Sequence, residues 1–185
     1  MEEIDRYRNQ VKPGRDTRLF NEWKKLDEAC SASDEIAYTV RKVNASGLPV
    51  AYDIVFRMKS ITGVENANEH GLQKPVFGDE HILRIQLPNN YPAADGGYPE
   101  FTFVTDVWHP NVRFFGDFKG RVCLNLKDCG TSVYLAEHIG TIAGYLRYSD
   151  YHARDEYPYP EDQTVARWVV EQGEPRGWVC LEGEG

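Results

Sequence analysis

Four short runs in the first part of the chain alternate apolar and polar residues, and all four lie between segments with a helical repeat. They are Ile36–Val40, Tyr52–Met58, His81–Leu87 and Phe101–Thr105, the first three placing Ile36, Tyr38 and Val40, then Tyr52, Ile54, Phe56 and Met58, then Leu83, Ile85 and Leu87 on one side. A period of two puts every second side chain on the same face of a strand, so each run predicts a strand with one buried face. Before them, Leu19, Phe20, Trp23, Leu26 and Cys30 recur at helical steps within 15–33; after them, Leu135, Ile139, Ile142 and Leu146 do so within 134–148, and Val165, Trp168 and Val169 within 161–173. Strands grouped before helices indicate an α+β layer: an N-terminal helix, a four-stranded antiparallel meander, an irregular stretch and C-terminal helices. Asp16 is expected to cap the first helix and Gly173 to end the last. Asn44–Pro49 is the first turn, and Ser60–Glu80 is a long polar connection, either a binding loop or a solvated one.

At 185 residues the chain fits one domain with a sizeable core, expected over 15–173 with an N-terminal extension at 1–14 and a flexible tail at 174–185. A net charge of −8 argues against nucleic acid and anionic membrane as partners, because both require surplus Lys and Arg. No run is long enough to span a bilayer, and the polar start "MEEIDRYRNQ" lacks the apolar core of a signal peptide, so a cytoplasmic location is expected. Reduced thiols follow from that compartment. The four cysteines, Cys30, Cys123, Cys129 and Cys180, are spread too widely for a zinc knuckle or a disulfide scaffold, and no metal or cofactor is expected.

The chemistry concentrates in the irregular stretch from Thr105 to Thr131. Pro110 fixes the backbone between His109 and Asn111 and keeps His109 out of helical geometry, a turn suited to aiming the Asn111 amide. Twelve positions on, Cys123 sits between Val122 and Leu124.

The series "LPNNYP…P.FTFVTDVWHPNV…G.VCLNL" resembles the core of the ubiquitin-conjugating enzymes, which carry ubiquitin or a ubiquitin-like protein as a thioester. The resemblance runs roughly from Arg15 to Gln172 and includes the order of elements, the tyrosine-proline turn and the His-Pro-Asn turn. It implies that Cys123 is the thioester nucleophile: a thiolate attacks and a thiolate leaves, so exchange between carriers is nearly balanced. Asn111 would steady the oxyanion as an amine attacks, or brace the loop beside it. His109 and Pro110 would support the turn. Asp155, with Glu156 beside it, would be the active-site carboxylate that orients the amine and receives its proton. The implied partners are an activating enzyme, docked on Arg15, Arg18, Lys24 and Lys25 of the first helix, the ubiquitin-like protein, and a protein substrate.

Several features depart from the usual pattern. "RFFGDFKG" lengthens the link to the cysteine, and Phe114, Phe115 and Phe118 form either a wall beside the thiol or core filling. The turn Ala93–Gly97 lacks the bulky apolar residue of ligase-binding members, which weakens the case for a RING-type ligase and leaves the ligase open. Such divergence suits a minimal or bacterial conjugation system of the kind found in antiviral operons. Three alternatives stay open: an inactive binding module of the same fold, a cysteine hydrolase pairing Cys123 with His109 or His138, and a zinc site from Cys123, Cys129, His109 and His138.

Overall fold

The fold is described from a computed structural model, which covers residues 2–93, 95–124, 126 and 132–179, with backbone alone at 2 and 3. A short helix α1 (Glu2–Asp5) and a 3-10 turn (Arg8–Gln10) precede the long helix α2 (Arg15–Ser31). Six strands follow: β1 (Ile36–Val43), β2 (Pro49–Phe56), β3 (Ser60–Val64), β4 (Pro75–Gly78), β5 (His81–Gln86) and β6 (Glu100–Phe103). Helix α3 (Leu135–Leu146) and helix α4 (Gln163–Trp168) complete the described elements, α4 running on through a π-helical turn (Val169–Gly173) and a 3-10 turn (Glu174–Arg176).

The expected α+β architecture is present. Strands β1, β2, β5 and β6 form one antiparallel sheet in that order. Register explains its two faces: Ile54 pairs with Tyr38 and Leu83, and Leu83 pairs in turn with Phe103. Tyr52, Ile54, Phe56, Leu83, Ile85, Phe101 and Phe103 are therefore all buried on the same side, sharing a core with Leu19 and Leu26 of α2 and Ile139, Ile142 and Leu146 of α3. Burying one such side chain contributes roughly 1.5–3 kcal/mol, which makes this face the main source of cohesion. The opposite face is polar, with Asp53 taking Arg84 at 2.9 Å and Arg41 at 3.5 Å.

The connection 60–80 is not a loop. It folds as the ribbon β3–β4, paired Ser60↔Gly78 to Val64↔Pro75. Its strands are short and its apolar residues few, so alternation alone did not reveal it. The ribbon is pinned from outside: Trp108 N donates to Ile61 O (2.8 Å), and Trp168 Nε1 donates to Gln73 O (2.9 Å). Ile61 joins Trp108, Val165, Trp168 and Val169 in a second buried cluster.

Both expected helix ends need correction. Asp16 lies inside the first turn of α2, after Gly14 in the cap position, and accepts from Asn44 Nδ2 (3.0 Å) and Ser46 Oγ (2.7 Å) of the β1–β2 turn. Gly173 does not stop the last helix, because the chain continues to Arg176 and Gly177 adopts the left-handed conformation (φ 66°). A Cβ on Gly173 would lie 2.7 Å from Val179 Cγ1, so this glycine makes room for packing. The expected tail also enters the fold: Val179 is buried and Trp178 stacks on Trp168.

A buried carboxylate ties the first helix to the third. Glu22 has no exposure and accepts from Arg18 Nε (2.7 Å), from the Tyr91 hydroxyl, and from the first amide of α3, Leu135 N (2.8 Å). Arg18 also donates to Val133 O (2.7 Å) and lies over the Tyr134 ring. It is thus a structural counter-ion, a role the sequence reading of Arg18 did not include. Removing it leaves Glu22 buried and uncompensated. Arg18→Glu should therefore lower unfolding free energy by about 3 kcal/mol or more, read from urea titration. A change under 1 kcal/mol would contradict this account.

Candidate active site around Cys123

Strand β6 would be the open edge of the sheet, but the segment ending at Cys123 covers it. Phe103 N donates to Gly120 O (2.8 Å), Val122 N donates to Phe101 O (3.0 Å), and Thr102 bridges Arg121. Gly120 is required there: its φ is +88° and a Cβ would come within 2.2 Å of Phe103 O. The pairing fixes the level at which the cysteine leaves the sheet. Val122 and Leu124 are buried, while Cys123 between them is half-buried.

The His-Pro-Asn turn anchors that cysteine. Cys123 N donates to Asn111 O (2.9 Å), and Tyr145 of α3 donates its hydroxyl to Cys123 O (3.3 Å). Asn111 is itself buried, and its Oδ1 accepts from His152 N (2.9 Å). One asparagine therefore joins the cysteine strand to the loop after α3. Pro110 O accepts from Asp162 N (3.0 Å), which adds the start of α4 to the same assembly. Asp162 then caps α4 through Thr164 N and Val165 N, and its other oxygen takes Phe114 N (2.9 Å).

His109 is the centre of the turn. Its Nδ1 accepts from Asn111 N (3.1 Å) and its Nε2 donates to Asp150 O (3.2 Å). These partners define a neutral imidazole with the proton on Nε2. The ring stacks on Tyr145 at 4.8 Å, and burial pushes its pKa down to about 3. Tyr148, a non-glycine residue at φ 56°, donates its hydroxyl to Trp108 O and closes the α3 end over the turn.

The remaining candidates divide. Asp155 and Glu156 are both exposed on the loop after α3; Glu156 lines a cavity of about 370 Å³ with Tyr151, His152, Arg154, Tyr157 and Glu174, and Asp155 is not part of its wall. Phe114 packs its ring on Trp108 (4.8 Å) in the second cluster, whereas Phe118 is 62% exposed, so the three phenylalanines do not form one wall. Among the docking charges, Arg15 donates to Pro88 O (3.1 Å), Lys24 lies 3.9 Å from Asp5, and Lys25 sits over the Tyr134 ring. His138 is buried with its ring edge-on to Phe101, and both nitrogens of His109 are engaged, so His109 has none left to serve a hydrolase with Cys123. Ala94, Cys129 and Cys180 lie outside the described residues.

Comparison with known proteins points the same way. Over 66 residues the chain is 35% identical to the probable ubiquitin-conjugating enzyme E2 31 of Arabidopsis thaliana, and over 68 residues 34% identical to the ubiquitin-conjugating enzyme E2 PEX4 of Gibberella zeae. Over these stretches the chain is similar to ubiquitin-conjugating enzymes, and it spans under two fifths of the length of the two relatives. The matched parts span 35% and 36% of this chain, and 38% and 36% of those two relatives. No family model matches. The crystal structure of the E2 UbcA1 from Agrocybe aegerita aligns over 84% of this chain and 92% of its own, with 16% identity and a TM-score of 0.45. Among the described residues, no helix of this E2-like chain is long and apolar enough to cross a membrane.

Reasoning from residues missed Tyr145, Tyr148, His152 and Asp162. A signal existed for two of them: Tyr145 and Tyr148, together with Tyr151, recur every third residue, which turns tyrosines toward one side as a helix ends. The state of His109 gives a measurable consequence. An unfolded chain protonates this imidazole near pH 6.5, while the fold holds it neutral down to about 3. Its contribution is complete above pH 6.5 and is lost as pH falls toward 3. Between pH 6.5 and 5 the wild type should lose about 2 kcal/mol more than His109→Gln, since each pH unit per proton is about 1.4 kcal/mol. Parallel stability curves for the two proteins would contradict the assignment.

Proposed function

We propose that this chain accepts ubiquitin or a ubiquitin-like protein from an activating enzyme as a thioester on Cys123 and transfers it to an amine of a target protein. The observation that carries this is the pair of bonds through Asn111, which holds Cys123 at the sheet edge and the His152 loop beside it. An acyl carrier requires a thiol presented at a fixed place next to a loop that can bound the approach of an amine. Half-burial of Cys123 fits that requirement, and the E2 relatives support it.

In this reading Asn111 acts first as a brace, because its side-chain oxygen is bonded to the loop. The amide nitrogen of the same group is the donor that would steady the developing oxyanion. Asp155, exposed on that loop, attracts and orients an incoming ammonium by charge. Arg15, Lys24 and Lys25 on α2 offer the docking charges for the activating enzyme. The departures in the Ala93–Gly97 turn favour transfer in a minimal, bacterial type of conjugation system, with defence as its setting and the cytoplasm as its place.

Incubation with an activating enzyme, its ubiquitin-like protein and ATP should give an adduct that reductant removes. Mass spectrometry should map it to Cys123. Cys123→Ser should give a reductant-resistant ester or no adduct; persistence of a labile adduct in that variant assigns the cargo to another thiol. No adduct on the wild type, with the activating enzyme verified on a second carrier, would leave the binding-module alternative. Lys24→Glu with Lys25→Glu should slow loading severalfold by removing attraction during encounter. Unchanged loading would place the docking surface elsewhere.

A further inference from the structure

We infer that His152 takes the proton from the acceptor amine during transfer, a step that rests on the carrier reading above. Three observations converge on this residue. Its backbone amide is held by Asn111 Oδ1 at 2.9 Å, and Asn111 O holds Cys123 N at 2.9 Å, so a single residue links the imidazole-bearing segment to the thiol-bearing one. His152 is half-buried and lines the cavity of about 370 Å³ formed by the loop after α3, whereas Asp155 is outside that wall. The other nearby imidazole, His109, has both nitrogens committed to Asn111 N and Asp150 O and accepts no further proton.

The surroundings suit an amine. Arg154 and Glu174 pair with each other at 2.7 Å, and the Tyr151 hydroxyl also bonds Glu174 at 3.0 Å. Their charges are thereby balanced within the wall, leaving Glu156 as its other carboxylate, with Tyr157 beside it. His109 adds no charge because it is neutral. An ammonium entering this cavity meets Glu156 as a counter-charge and an imidazole as a base. A carboxylate is a poor base for an ammonium, whereas imidazole is the ordinary side chain suited to proton exchange between pH 5 and 8.

The balance of the step is simple. The ammonium loses one proton to the His152 ring, and the resulting amine nitrogen attacks the thioester carbonyl carbon. The new C–N bond forms, the C–S bond breaks, and the sulfur of Cys123 leaves with its electron pair. The second amine proton goes to that sulfur, and the imidazolium returns its proton to solvent. Products are the amide, the thiol and one released proton.

The test is single-turnover discharge of the isolated wild-type and variant adducts to free lysine between pH 6 and 9. The substitution His152→Gln leaves the backbone bond to Asn111 in place, so the fold is retained. Its discharge should be slower by about tenfold or more at pH 7, and its pH–rate profile should differ in shape from that of the wild type. For His152→Ala, added imidazole should restore part of the rate, a rescue that a merely structural role would not give. Parallel pH profiles for wild type and His152→Gln, or a changed profile in Asp155→Asn instead, would overturn the inference. A wild type that forms no adduct would overturn the carrier reading and this inference together, which separates the two failures.

Discussion

The imidazole of His109 is the point on which the site depends. Two hydrogen bonds and a stacked tyrosine hold a ring that solvent does not reach. Because Nδ1 accepts from the Asn111 amide, the turn is fixed as Pro110 passes the chain to Asn111. Because Nε2 donates to Asp150 O, the same ring fixes where α3 ends. Asn111 then distributes this constraint, by its carbonyl to Cys123 and by its side chain to His152. A charged ring could not do this, since an imidazolium has no acceptor for the Asn111 amide.

Position of the cysteine along the sheet comes from a different source. The 119–122 segment covers β6, and Gly120 permits the close approach to Phe103 O that this requires. Sheet edge and buried turn thus fix Cys123 from two directions, while the Tyr145 hydroxyl holds its carbonyl from α3. The Glu22 network places α3 at its other end, so the helix is fixed against α2 as well as against the turn. Proposed carrier chemistry needs little more from the scaffold than this positioning.

The main sheet and the three helices α2, α3 and α4 were legible because their signal is periodic and their burial one-sided. Ile54, Leu83 and Phe103 stand in register because each occupies the inward position of its strand. The β3–β4 ribbon was not legible: its stability comes from Trp108 and Trp168 bonding to it from outside, and no pattern within Ser60–Glu80 encodes those contacts. The structural role of Arg18 was not legible for a similar reason. A cation on a helix looks solvated until the fold reveals a buried Glu22 one turn away and Val133 O above it. The His-Pro-Asn turn and Cys123 were legible through local chemistry and resemblance, but their link to His152 depends on the loop returning after α3. Distances in the fold, not spacing in the chain, make that connection.

The account turns on His109 being a neutral hinge-pin, and nitrogen-15 spectroscopy of its imidazole tests this most directly. The spectrum should show the proton on Nε2, with shifts that do not change between pH 5 and 8. A titration near pH 6.5, or a proton on Nδ1, would contradict the bonds that hold Asn111 and, through it, the thiol.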